Sequence, residues 1–102
     1  IEGVLTINNI VTSIGKDAFS NAKQITKIII GSSVSSIGNY SFDGMRNVTS
    51  VYSYALSAPT VGTGGIKFGG TARPLHVKIG ATGYNVAPWT NTAIFSSIIY
   101  DL

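Results

Sequence analysis

Two stretches, Ser13-Ile-Gly-Lys16 and Ser20-Asn-Ala-Lys23, fit S-x-x-K, the spacing that sets a serine hydroxyl beside a lysine one helical turn away. Such a pair could make an acylating nucleophile, but that chemistry also requires companion motifs of the S-D-N or K-T-G type. Neither occurs. His76 is the single histidine, out of phase with Leu75 and Val77, with no second histidine and no acidic neighbour to orient it as a base or ligand. It reads as a solvated strand residue. The carboxylates Glu2, Asp17, Asp43 and Asp101 are scattered and give no support to a glycosidase-type acid/base pair. Gly62-Thr-Gly64-Gly65 and Gly69-Gly70 lack both the dinucleotide fingerprint and the P-loop Lys-Ser/Thr, and read as a flexible turn. Asn39-Tyr-Ser41 and Asn47-Val-Thr49 are formal glycosylation sequons, meaningful only in a secreted eukaryotic protein. With no cysteine, a thiolate metal site, a disulfide framework and a cysteine nucleophile are excluded. No enzymatic activity and no cofactor are expected.

The elements that carry these residues must form from an unusual composition. Of the 102 residues, 44% are hydrophobic and only 11% are charged, against roughly 25% charged in an average soluble domain. Glycine, serine, threonine and asparagine fill the space that charge usually takes. No apolar run approaches the ~18 residues of a membrane helix. The net charge of +3 comes from scattered lysines and arginines, so nucleic-acid binding gains no support.

The answer to the composition is a repeat. Residues 11–33 read VTSIGKDAFSNAKQITKIIIGSS and residues 34–56 read VSSIGNYSFDGMRNVTSVYSYAL. A shift of 23 residues lays Val11 on Val34, Ile14 on Ile37, Gly15 on Gly38, Phe19 on Phe42 and Ile28 on Val51. The same shift lays Leu5 on Ile28, so residues 1–10 form a partial repeat, and Ile1 falls in mid-repeat. The chain is therefore expected to be the C-terminal part of a longer array. Residues 57–79 form a degenerate repeat, because Phe68 lies 26 residues after Phe42. That spacing implies a three-residue insertion, placed in the glycine-rich Val61–Gly65 stretch. After Gly80 the repeat stops, and residues 80–102 read as a C-terminal cap in which Trp89 closes the edge.

Within each repeat Gly15 or Gly38 is expected at positive φ. KDAF and NYSF follow as turns or single helical turns. In the strand ITKIII, Ile28 and Ile30 point one way while Lys27 and Ile29 point the other. One unit cannot bury its own apolar residues, whereas stacked units share a continuous core with neighbouring strands about 4.8 Å apart.

The pattern V-x-S-I-G-x-x-[AS]-F-x-x-[AM]-x-x-[IV]-T-x-[IV] resembles the BspA-like leucine-rich repeats of bacterial surface proteins. Val11, Ile14, Gly15, Ala18, Phe19, Ile25, Ile28 and Ile30 fit one copy; Val34, Ile37, Gly38, Ser41, Phe42, Val48 and Val51 fit the next. Ala22 and Met45 stand where the family usually has cysteine, and Gly31 where proline is common. Gly80, Tyr84 and Trp89 match the G-x-x-x-Y-x-x-x-x-W segment near the ends of such proteins. The resemblance implies a leucine-rich-repeat solenoid, mainly β with short helical turns and a C-terminal cap, forming one repeat domain over residues 1–102. It also implies an extracellular or cell-surface location and a role in adhesion or protein–protein recognition, without catalytic or metal residues.

The 23-residue shift stacks Thr6, Ile29 and Tyr52 in one outward column and Val4, Lys27 and Ser50 in the next, with Tyr54 just beyond. An exposed isoleucine beside two tyrosines is what a contact surface uses, which makes Lys27, Ile29, Tyr52 and Tyr54 the candidate binding residues. A host or bacterial surface protein is the expected partner, with a glycan ranked behind it. The alternative readings are a structural spacer or cap of a larger protein, and a carbohydrate-binding accessory domain.

Overall fold

The computed structural model describes residues 3–102. Ile1 and Glu2, the start of the partial repeat, lie outside the described residues. Eight short strands run as β1 (Val4–Thr6), β2 (Ser13–Ile14), β3 (Lys27–Ile30), β4 (Ser36–Ile37), β5 (Ser50–Ser53), β6 (Thr60–Val61), β7 (Arg73–Val77) and β8 (Phe95–Tyr100). They form two parallel sheets, one of five strands in the order β1-β3-β5-β7-β8 and one of three in the order β2-β4-β6. Each coil contributes one strand to the larger sheet, and the result is the expected solenoid. The register is the repeat itself: Leu5 pairs with Ile28, Ile28 with Val51 and Ile14 with Ile37. Strands β3 and β5 alternate half-buried and buried residues, with Ile28, Ile30, Val51 and Ser53 inward.

The expected helical turns are absent; among the described residues there is no helix. The hydrogen bonds give the reason. In KDAF and its surroundings, alternate N–H groups stay local and the others leave for the next coil. Ala18, Ser20 and Ala22 donate three residues back, whereas Asp17, Phe19 and Asn21 donate to the carbonyls of Asn39, Ser41 and Asp43. Tyr40, Phe42 and Gly44 repeat this toward Thr63, Gly65 and Lys67. A segment that commits half its donors sideways cannot wind an α-helix, whose ladder needs them all.

The left-handed positions also differ from expectation. Gly15 and Gly38 are not among the residues at positive φ; Asp17 (φ 58°) and Tyr40 (φ 57°), two residues on in each repeat, are. Gly38 is needed for closeness instead, since a Cβ there would lie 2.8 Å from the backbone of Ile14 and Gly15. A non-glycine left-handed residue costs on the order of 1 kcal/mol, offset here by the inter-coil bonds on either side.

The polar composition is absorbed by the stacking. Thr26, Ser35, Thr49 and Thr60 each donate both backbone N–H and side-chain hydroxyl to one carbonyl of the preceding coil: Gly3, Thr12, Thr26 and Ser35 respectively. Asn47 Nδ2 donates to the Lys23 carbonyl at 2.7 Å, and Asn39 Oδ1 accepts from the Thr63 N–H at 2.9 Å. Both sequon asparagines are thus coil-to-coil ties.

The degenerate third coil is accommodated in steps. Ile37 pairs with Val61, so one added residue precedes β6. Two more enter before Phe68 and are lost again before Leu75, which pairs with Val51. The insertion is therefore divided, with only part of it in the glycine-rich stretch. The repeat also continues past Gly80: β8 pairs with β7 at a shift of 23 from Pro74–Ser97 to Val77–Tyr100. The cap is one more coil of different composition, and β8 is itself the edge strand.

Inside, the phenylalanines form one column. Phe19 stacks on Phe42 (5.7 Å between centroids) and Phe42 on Phe68 (5.9 Å), while Phe68 meets Phe95 edge-on at 6.0 Å. Trp89 stacks on Phe95 at 6.0 Å and Tyr84 meets Trp89 edge-on at 5.0 Å. What Trp89 closes is this column, whereas β8 is the last strand of the sheet among the described residues. Each such pair adds about 0.5–1.5 kcal/mol beyond burial. Arg73, an ordinary surface type by sequence, is almost wholly buried. Its guanidinium donates to the carbonyls of Val48, Ile94 and Gly69, holding three coils together, and lies over the Phe68 ring. Burial lowers its affinity for the proton below the usual arginine value.

The column predicts a gradient. Phe42→Ala, at a fully buried site with a ring on each side, should cost about 3–5 kcal/mol, and Phe19→Ala, half-buried at the column's end, roughly half as much. Urea unfolding of both variants checks this; equal losses would deny the column its role. A second expectation concerns pH. Tyr84 Oη donates to the Ala55 carbonyl at 2.9 Å, so its 2.7 Å contact with Ser53 must be a bond donated by the serine. Burial raises the Tyr84 phenol above its ordinary value of 10.0, outweighing the Ser53 hydrogen bond, which lowers it. A folded-state value above the unfolded one gives stability that is full below 10.0 and drains as pH climbs through the raised value. The melting temperature should fall across that window, and fall less steeply in Tyr84→Phe, although this variant starts lower for want of its two hydrogen bonds.

Candidate functional site

The outward face of the five-stranded sheet carries the chemistry that the core does not use. Strand pairing sets Thr6 beside Ile29, Ile29 beside Tyr52, Tyr52 beside His76 and His76 beside Ile99. The candidate residues Ile29 and Tyr52 therefore lie in one continuous row, as their spacing predicts. Lys27, one step back on β3, reaches diagonally, and its Nζ sits 4.6 Å from the Tyr52 ring centroid, a cation–π contact. Tyr54 lies just past the end of β5 and is 38% exposed.

His76 and Asp101 belong to this row, and sequence reasoning missed both. The His76 ring stacks on Tyr52 with centroids 4.5 Å apart and planes within 9°. Its Nδ1 lies 3.0 Å from each oxygen of Asp101, just after β8. The expectation of a solvated histidine without an acidic neighbour is thus overturned: its side chain is only 17% exposed, and the carboxylate arrives from the next coil. The signal lay in the coil spacing. His76 follows Tyr52 by 24 residues, a shift visible only once the extra residue before β6 is counted, and Asp101 lies two residues beyond Ile99, the strand partner of His76.

A carboxylate only accepts, so Nδ1 must carry the proton of that bond, leaving Nε2 as the acceptor of the neutral ring. No hydroxyl is bonded to Nε2 among the described residues. The pair therefore orients an aromatic ring. Among the described residues Ser13 and Lys16 are both exposed and form no hydrogen bond with each other, nor does half-buried Ser20 with exposed Lys23. No group of three or more metal-ligating side chains occurs among them.

The resulting row runs Lys27, Tyr52, His76, Asp101 across the sheet, a cation at one end and an anion at the other. Because β3 and β7 flank β5 on opposite sides, Lys27 and His76 cover the two faces of the Tyr52 ring. Only its edge and hydroxyl remain to meet a ligand. Among the described residues no helix is long and apolar enough to cross a membrane.

No curated protein and no solved structure matches this chain. The model of the BspA type leucine-rich-repeat region, in six copies, matches residues 4–58, more than half of its length. With the 23-residue register, the parallel coils and the phenylalanine column, that match places the chain in the BspA-type leucine-rich-repeat family.

Proposed function

We propose that this chain is a non-enzymatic protein-recognition module acting in adhesion at a bacterial cell surface, and that it meets its partner with the outward face of its five-stranded sheet. The observation that carries the reading is the immobilised Tyr52, held between Lys27 and His76, with His76 fixed in turn by Asp101. A side chain already held in place loses little further freedom on binding, and that saving is what makes rigid aromatic anchors effective at protein interfaces. Half-buried Ile29 lies directly beside it and adds apolar area. Membership of a repeat family that builds laterally extended strand faces supports the same reading. The covered ring faces of Tyr52 argue against sugar stacking at this point, since that mode needs an open aromatic face.

The test is a surface-binding assay of the chain against a panel of extracellular-matrix proteins and a glycan array, with Tyr52→Ala and Ile29→Ser beside the native sequence. Each variant should bind its protein partner roughly tenfold more weakly or worse, the loss of a central interface residue. Both side chains are outward, so the melting temperature should move little. Unchanged binding in both variants would reject the face.

A further inference from the structure

The outward row of Thr6, Ile29 and Tyr52 continues one step past the strand ends, where the side chain is missing. Asn8 follows Thr6, Tyr54 follows Tyr52, and between them stands buried Gly31. The Tyr54 N–H bonds to the Ile30 carbonyl at 3.0 Å, and the pairing of Ser53 with Val77 sets Lys78 alongside Tyr54. Glycine is required by closeness: a Cβ on Gly31 would lie 2.5 Å from the Ile7 carbonyl oxygen and 2.8 Å from that of Asn8. The gap is a cleft of about 400 Å³, walled by Asn8, Asn9, Ser32, Ile29, Tyr54 and Lys78.

Its asparagine and lysine side chains are set to donate. Asn8 Oδ1 accepts from the Ile10 N–H at 2.9 Å, and Asn9 Oδ1 accepts from the Ser32 N–H at 3.1 Å. With both oxygens engaged, the carboxamides are fixed with their NH₂ groups left to donate, and neither NH₂ has a partner among the described residues. Lys78 forms no ion pair among them, and no carboxylate lines the cleft. Asp101, which the pairing of Val77 with Tyr100 sets alongside Lys78, is turned away to His76 and is not part of the cleft wall. Two amide donors and a cation therefore converge on a space that no carboxylate lines, beside an apolar wall of Ile29 and Tyr54.

We propose that this cleft seats an acidic side chain of the protein partner, a glutamate or aspartate in an extended segment with an apolar neighbour resting on Ile29 and Tyr54. The inference rests on the protein-recognition reading. Ile29 belongs both to the recognition face and to the cleft wall, so a partner laid on the first reaches the second. Charge-assisted hydrogen bonds from Lys78 and the two amides supply the discrimination for a carboxylate over a neutral amide.

The experiment is a titration of isotopically labelled chain with Ac-Leu-Glu-Leu-NH₂, Ac-Leu-Gln-Leu-NH₂ and glucuronic acid, followed by NMR at the side-chain NH₂ groups of Asn8 and Asn9 and the backbone N–H of Ser32. The glutamate peptide should shift these signals saturably, and the glutamine peptide should bind roughly tenfold more weakly. Lys78→Gln and Asn8→Asp should each weaken the glutamate peptide by a similar factor. Asn8→Asp keeps the Oδ1 that accepts from Ile10, so it alters the charge and leaves the turn intact. Equal binding of the two peptides, or shifts that survive both substitutions, would overturn the proposal. Saturation by glucuronic acid with no response to the peptide would overturn it in favour of an acidic sugar. If Tyr52→Ala abolishes binding to a matrix protein while Lys78→Gln and Asn8→Asp do not, the recognition face stands and the cleft's role falls.

Discussion

Each coil of this protein must satisfy the backbone of the coil beside it, and the rest of the structure follows from that constraint. With no helix among the described residues to close hydrogen bonds internally, donors leave each coil sideways at regular intervals, from the sheet strands and from the turns alike. A buried backbone group without a partner costs on the order of 1–3 kcal/mol, so a coil with the wrong path length would lose several such terms at once. This is why the 23-residue spacing is held at Leu5, Ile28 and Val51, and why two of the three extra residues of the third coil are given back before Leu75. The same constraint explains the low charge. A hydroxyl at Thr26 or Thr49 doubles the bond that its own N–H makes to the coil below, a position in which a lysine or glutamate could not serve.

Where a coil does depart from the common path, a single large polar side chain repairs it. Arg73 stands at the bulge between β7 and β8, where the register between Arg73 and Pro74 slips by one residue. Its three bonds go to carbonyls of three different coils, and its flat face rests on Phe68. The fork geometry and low hydration of a guanidinium suit it to this task in a way that an ammonium would not match. A buried cation without a carboxylate is costly in general, and three fixed carbonyl dipoles are what make it tolerable here. Tyr84 does the analogous work in the cap, joining Ser53 and the Ala55 carbonyl through one hydroxyl.

These patterns mark what could be read from sequence and what could not. The Val–Ile–Gly–Phe framework carried the register, the inward set Ile28, Ile30 and Val51, and the phenylalanine column, because each is a property repeated at a fixed shift. The candidate row was legible as far as Ile29 and Tyr52 for the same reason. His76 escaped because it reaches Tyr52 through a shift of 24, across a coil whose length changes, and Asp101 because it reaches His76 diagonally from two residues past its strand partner Ile99. Arg73 escaped because burial of an arginine depends on carbonyls that only the folded coils bring together. The left-handed Tyr40 was masked by Gly38, the more obvious residue for such a conformation, whose real constraint is the nearness of Ile14 and Gly15.

A solenoid of this kind separates stability from recognition by the parity of its strands. Inward residues are fixed by the column they extend: Val51 cannot change without disturbing Ile28 below it and Leu75 above it. Outward residues meet no such demand, yet Tyr52, Lys27, His76 and Asp101 are linked to one another as closely as many core residues are. The core lies on the other side of the sheet, so these contacts serve the fold only as cross-strand pairs. Order on this outward face is what the proposed binding surface would use. The gap at Gly31 sharpens the point. The closeness of Ile7 and Asn8 removes a side chain from the row, and the space left is edged by donors on one side and by Tyr54 on the other. One backbone approach thus both completes the packing of the first coil and opens a cleft that borders the ordered row.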